Sequence, residues 1–197
     1  MTVLGPDFYA RSVHDVARDL IGCELSFGEA AGVIVETESY ERDDPACHAF
    51  VGRTARNEVL FGPPGRAYVY LSYGIHSLLN AVAEPDGEAA AVLIRALEPT
   101  AGISAMRRRR GREPIEELCS GPGKLTEALG VTLSENGASL SDAPFAVLAR
   151  EPEWSGVEVV AGPRVGISKA VERPWRFCAA GSRFVSRPWP KPVAEAA

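Results

Sequence analysis

The chain has 197 residues, 46% hydrophobic and 24% charged, with a formal net charge of −5. That length fits one domain, and the composition is that of a soluble globular fold able to bury roughly 70% of its unfolded surface without cross-links. Cys23, Cys47, Cys119 and Cys178 form no CxxC pair and the three histidines show no zinc-ligand spacing, which points to free thiols in a reducing cytoplasm and to no metal.

The opening "MTVLGPDFYARSVHD" has no basic segment leading into an apolar core, and no run reaches the ~18 apolar residues of a membrane span. A cytoplasmic chain without a membrane partner is therefore expected. "SVHDVARDLIG" predicts a helix capped by Ser12, with Val13, Val16, Ala17 and Leu20 on one face and Gly22 ending it. "CELSF" and "GVIVETESY" predict two strands around a glycine-containing turn. "AYVYLSYGIHSLLNAVA" predicts two more, meeting near Tyr73 and Gly74, and "AAAVLIRAL" another. "PTAGISAMRRRR", "PIEEL" and "GKLTEALG" read as helical, the last closed by Gly130. Short strands are predicted again in "FAVLAR", "VEVVAG", "RVGIS" and "WRFCAAG". Helices in the middle and strands at both ends do not alternate as βαβ units, so the pattern predicts an α+β domain over 1–187, a compact fold around a largely antiparallel sheet. The Pro-rich stretch 188–197 is expected to fray. There is no GxGxxG or Walker-type loop.

On a strand, Glu36, Glu38 and Tyr40 project from one face, and Val35, Thr37 and Ser39 from the other. Two carboxylates buried together repel, which raises one pKa; functional sites carry such a cost. A solvated acidic edge is the alternative. Tyr68 and Tyr70 share a face and could simply pack, but Tyr73 sits at a turn tip, where cover is poor. Exposed rings beside Arg53, Arg56, Arg66 and Arg95 suit nucleic acid, with rings on bases and guanidinium groups on phosphates. The negative net charge argues mildly the other way. "MRRRRGR" is either a solvated charge run or a phosphate-binding patch. A two-carboxylate glycoside hydrolase would leave Tyr73 and the arginines unexplained, and a non-catalytic nucleic-acid-binding module would have no use for Glu38.

"VETESY", His48, "RTARN", "YVYLSYG", Asn80, "VLIRALEP", "ELCSGPGKL" and "RVGISKAVERPWRF" occur in that order. Together they resemble the alkyladenine (3-methyladenine) DNA glycosylase family, the mammalian-type N-methylpurine glycosylases, from about Leu4 to Val185. The resemblance implies a curved sheet with flanking helices and a protruding β-hairpin. It also implies a monomeric, cofactor-free, monofunctional base-excision-repair enzyme acting on double-stranded DNA. Such an enzyme flips alkylated or deaminated purines out of the duplex and hydrolyses the N-glycosidic bond. By position, Glu38 matches the residue that deprotonates the attacking water, and Arg95 the one that helps hold it. Tyr40, His48 and Tyr70 match the walls around the flipped base. Tyr73 matches the hairpin-tip residue that fills the gap in the duplex, and Asn80 the side chain at the pocket floor. Glu36 also matches a family position and is read as structural. "ERDDPAC", between Tyr40 and His48, is acidic and about one residue shorter than in the mammalian relatives.

Overall fold

The computed structural model describes residues 2–189. In chain order these form helices α1 (Pro6–Tyr9) and α2 (Val13–Asp19), then strands β1 (Glu24–Phe27), β2 (Ala30–Tyr40), β3 (Ala67–Ser72), β4 (His76–Ala83) and β5 (Ala90–Ala101). Helices α3 (Ile103–Arg110) and α4 (Pro122–Leu129) follow, and then β6 (Phe145–Leu148), β7 (Val159–Gly162) and β8 (Arg176–Ala179). Every pairing is antiparallel. The sheet runs β3-β4-β5-β2-β1-β6, with β8 on β2 and β7 on β8. The result is the α+β domain expected, with a curved sheet and helices at its side. Apart from Pro188 and Trp189, the stretch expected to fray lies outside the described residues.

Alternation along the strands divides the sheet into two faces. Val69, Leu79, Ala81, Val92 and Ile94 enter the main core, together with Val13, Val16, Ala17 and Leu20 of the α2 segment. Tyr68, Val82 and Ala91 point the opposite way and pack with Cys47, Ala49 and Leu60 in a smaller cluster. That second cluster is the floor on which a site can be built.

Three irregularities interrupt the β2–β5 ladder, two of them flanking Glu36. Ile34 faces Leu97, Glu36 faces Ala96 and Thr37 faces Ile94, so Val35 on β2 and Arg95 on β5 are each left as an extra residue. Bulges of this kind bend a strand and re-aim a side chain. At the same place the other edge of β2 passes from β1, paired over Glu24–Phe27, to β8, paired opposite Glu36, Thr37 and Glu38. The face assignment survives the bend: Thr37 Oγ1 donates to the Ala17 carbonyl at 2.8 Å and Ser39 Oγ meets His14 Nδ1 at 2.8 Å, on the side away from the two acids.

Some elements differ from the pattern. Residues 99–101 extend β5, and the helix expected from Pro99 begins only at Ile103, after Gly102 turns the chain at φ +67°. "PIEEL" is a single 3-10 turn, Ile115–Glu117. "RVGIS" makes no strand; Gly166 takes φ +80° and the Val165 N–H is directed at a side chain. Helix α1 is short, with Pro6 at its start, and lacks the apolar period that would reveal it.

Candidate active site

A cavity of about 440 Å³ opens beside β3–β5, its walls including Tyr40, His48, Tyr70, Asn80 and Arg95. This lies within the roughly 300–1,000 Å³ range of small-ligand pockets. The structure therefore brings together the residues singled out on four separate stretches. Tyr73 also borders the opening. Glu38 does not line the cavity; it lies directly behind three lining residues, Tyr40, Arg95 and Val165, each of which hydrogen-bonds it.

The acidic edge reading fails, because Glu36 and Glu38 are both fully buried. Their hydrogen bonding is unequal. Glu36 accepts from Arg95 Nε at 2.7 Å, Arg176 Nε at 2.7 Å, Ser186 N at 2.7 Å and Ser186 Oγ at 2.8 Å. Four donors fill the roughly four acceptor positions of a carboxylate. Glu38 accepts from Val165 N at 2.7 Å, Tyr40 Oη at 2.8 Å and Arg95 Nη1 at 3.2 Å. Three donors leave one position unfilled. Burial raises the pKa of Glu38, and nearby Glu36 adds to this, against the opposing pull of Arg95 and the Val165 and Tyr40 hydrogen bonds. Burial works against the Arg95 charge, but Glu38 and Glu36 overcome it and hold the guanidinium protonated.

The aromatic wall is neutral. Burial pushes the Tyr68 and Tyr70 hydroxyls up to about 12, helped by the Tyr70 and Glu38 charges respectively. Burial, then Glu38, raises Tyr40 well above the usual phenol range. His48 stands exposed at the rim with its Nδ1 2.9 Å from Tyr68 Oη and its ring 4.5 Å from that of Tyr70. Partial burial, and then Arg56, lowers its pKa and favours the uncharged imidazole. Asn57 fixes the segment after His48 by donating Nδ2 to the carbonyls of His48 (2.8 Å) and Gly52 (2.9 Å). Asn80 Nδ2 donates to the Tyr68 carbonyl at 3.0 Å, and among the described residues its Oδ1 accepts nothing.

The hairpin of β3 and β4 turns through Tyr73, Gly74 and Ile75, with Tyr73 at φ +51°, Gly74 at φ +71° and the Ile75 N–H donating to the Ser72 carbonyl at 3.1 Å. Positive φ at both Tyr73 and Gly74 is the type I′ geometry. It leaves Tyr73 92% exposed, with nothing to pack on.

Sequence reasoning missed Arg176 and Ser186, which saturate Glu36, and the pair Asp44–Arg164 behind Tyr40. Asp44 lies in the loop noted for its acidity and its length, with no partner assigned to it. The arginine run near residue 110 forms no patch at the cavity. Arg107, Arg109, Arg110 and Arg112 pair with Glu113, Glu29, Glu127 and Glu117. Among the described residues no group of three His, Cys, Asp or Glu could hold a metal ion, and no helix is long and apolar enough to cross a membrane.

Comparison with known proteins agrees with this geometry. The family model described as methylpurine-DNA glycosylase matches residues 7–183. A protein of Rhodopseudomonas palustris is 58% identical over 184 residues, covering 93% of this chain and 88% of that one. One from Bradyrhizobium diazoefficiens is 55% identical, covering 93% and 90%, and one from Agrobacterium fabrum is 51% identical, covering 91% and 90%. All three carry the provisional name 3-methyladenine DNA glycosylase. The chain belongs to the methylpurine-DNA glycosylase family and is a DNA glycosylase, with DNA as its substrate.

Glu36 is saturated by Arg95, Arg176 and Ser186 and so ties β5, β8 and the segment after β8 to β2. Glu36→Gln leaves Arg176 buried without a carboxylate and is expected to lower folding stability by about 3–5 kcal/mol. Urea unfolding measures it, and a wild-type midpoint would show that the charge is dispensable to the fold.

Proposed function

We propose that this glycosylase flips alkylated or deaminated purines out of duplex DNA and hydrolyses the N-glycosidic bond with Glu38 as general base, leaving an abasic site. It would do so as a monomer, with no metal or organic cofactor. The observation that carries the reading is the unequal saturation of the two buried acids. Glu36 has no acceptor left, whereas Glu38 has one for a water.

A purine within the stack cannot offer C1′ to a positioned water, so the nucleotide must leave the duplex at a cost of a few kcal/mol. Tyr73, exposed at the hairpin tip, would offset part of that cost by occupying the vacated space. The flipped base would lie between Tyr40, His48 and Tyr70. Neutral, electron-rich rings attract a cationic alkylpurine by cation–π contact, roughly 0.5–2 kcal/mol each. An uncharged His48 adds no repulsion. The positive charge also makes the base a good leaving group. Cleavage passes through an oxocarbenium-like state. Glu38 would take the water's proton and stabilise the developing charge, with Arg95 holding both carboxylate and water. Neither Lys124 nor Lys169 lines the cavity, which supports a hydrolytic enzyme rather than a lyase, since a lyase needs an amine for a Schiff base. A glycoside hydrolase using both acids would need Glu36 free, and a mere binding module would not need Glu38 buried with one open acceptor position.

Asn80 would set base choice. Its Nδ2 donates to the Tyr68 carbonyl, and by family match the exocyclic amino group of guanine would arrive at this side chain. Rejection by a clash discriminates without improving contact with the accepted base.

Glu38→Gln keeps the shape and removes the base. Lesion binding should survive while single-turnover excision of 3-methyladenine falls by about 10²-fold or more, and near wild-type excision would refute the assignment. In the parent enzyme the raised pKa of Glu38 places the acid limb of the rate above the ordinary carboxylate range, because the base must be ionised to act. Tyr73→Ala should weaken binding and slow excision from paired sites, with a smaller loss where the lesion is already unpaired; equal losses would move Tyr73 out of the gap-filling role. Asn80→Ser should raise excision of guanine relative to hypoxanthine, both opposite thymine, in single-turnover assays. An unchanged ratio in a folded variant would remove Asn80 from base choice.

A further inference from the structure

Behind the aromatic wall lies a second buried ion pair, one the excision scheme does not use. The side chains of Arg164 and Asp44 are both fully buried. The guanidinium binds the carboxylate through both terminal nitrogens, Nη1 on Oδ2 and Nη2 at 3.1 Å from Oδ1. Nη1 also donates to the Ser39 carbonyl at 3.0 Å. The same group lies 4.5 Å from the centre of the Tyr40 ring and 5.0 Å from that of Trp175. Asp44 in turn accepts the Ala46 N–H at 3.1 Å, and its carbonyl accepts the Cys47 N–H at 2.8 Å, which closes the turn leading to His48.

Arg164 therefore meets three things at once: the end of β2, the ring of Tyr40 and the turn before His48. Its chain neighbour Val165 gives Glu38 its 2.7 Å N–H. We propose that Arg164, locked by Asp44, is a positioning residue for excision. Through the Val165 N–H and the Tyr40 hydroxyl it holds the Glu38 carboxylate so that one acceptor position faces a water. The proposal rests on Glu38 being the base.

A bidentate guanidinium–carboxylate pair fixes a plane as well as a distance, which an ammonium does not. Lysine at 164 ends one bond short of the Arg164 terminal nitrogens and has no second nitrogen to complete the two-point contact with Asp44. Loosening the pair lets Val165 and Tyr40 drift from Glu38. Both donate to its charged form and so favour ionisation. The groups that remain around Glu38 are Arg95 from β5, Tyr70 from β3, Arg176 and Cys178 from β8, and Glu36 on its own strand. Arg176 is spent on Glu36, so Arg95 is left as the direct counter-charge. The proton affinity of Glu38 must then rise, and the acid limb of excision must move to higher pH. A residue that only supports the fold would not move it.

The test is the pH profile of single-turnover hypoxanthine excision from duplex DNA, for the wild type, Arg164→Lys, Asp44→Asn, the double variant and Glu38→Gln. Either single variant should cut the plateau rate by about tenfold to a hundredfold, shift the acid limb upward and lower lesion affinity by less than it lowers the rate. The double variant should lose no more than the worse single one, since the two side chains act as a unit. If Arg164→Lys does not fold, Asp44→Asn, which keeps the shape and the Ala46 contact, carries the same readings. An unmoved acid limb, a loss confined to affinity, or wild-type rates overturns the proposal. A wild type that releases no base, or Glu38→Gln with its acid limb intact, instead overturns the reading of Glu38 beneath it, and is told apart because no substitution at Arg164 or Asp44 is involved.

Discussion

Everything in the site depends on one guanidinium. Arg95 stands on a bulge of β5, and from there it reaches Glu36, Glu38 and Ser186. Two carboxylates with no exposed surface are tolerable only with matching charge and enough hydrogen bonds. Arg95 and Arg176 supply two positive charges against two negative ones. Ser186 and Val165 supply the backbone donors. The need to bring Arg176 and Ser186 to Glu36 also explains why β2 takes β8 as its neighbour there and drops β1.

The arrangement separates two tasks that a pair of similar acids could otherwise share. Full saturation makes Glu36 a rigid post. Incomplete saturation leaves Glu38 one acceptor position for the water of the proposed reaction, while burial raises its proton affinity and three donors oppose that rise. Strain appears at the hairpin tip as well. A tyrosine at positive φ costs on the order of 1–3 kcal/mol, and here the ring gains no packing in return. Both features oppose folding; Tyr73 borders the cavity mouth, and Glu38 lies behind the cavity wall.

Much of this was legible in the sequence, for identifiable reasons. Period-two alternation located β2, β3, β4 and most of β5, and placed Glu36, Glu38 and Tyr40 on one face. The tip at Tyr73 and Gly74 followed from two apolar runs around a glycine. The bulges were not legible, because a bulge is defined by the partner strand; Arg95 was picked out by its family match, not by the bulge that aims it. Arg164, Arg176 and Asp44 were hidden because their partners lie 120 or 140 residues away. "RVGIS" misled for a related reason: its β-branched residues suit a strand, but the Val165 N–H serves Glu38 instead of a ladder.

Charge distribution explains how a chain of net charge −5 serves a DNA substrate. The arginines from 107 to 112 are mostly paired with glutamates and none lines the cavity. They neutralise the acids around α3 and α4, and so add little to the field at the cavity mouth. Arg56, by contrast, borders the mouth, and its Nη2 meets only the uncharged Leu71 carbonyl among the described residues. Lys124 lies two residues from the lining Pro122, and Lys169 two from the lining Ile167. Screening limits each charge to about 8–10 Å at physiological salt. Under the proposed function, a phosphate at the mouth would respond first to the cations within that range. Net charge is then the wrong predictor for this fold: under the proposed function, phosphate contact would fall to the few cations near the mouth, Arg56 foremost.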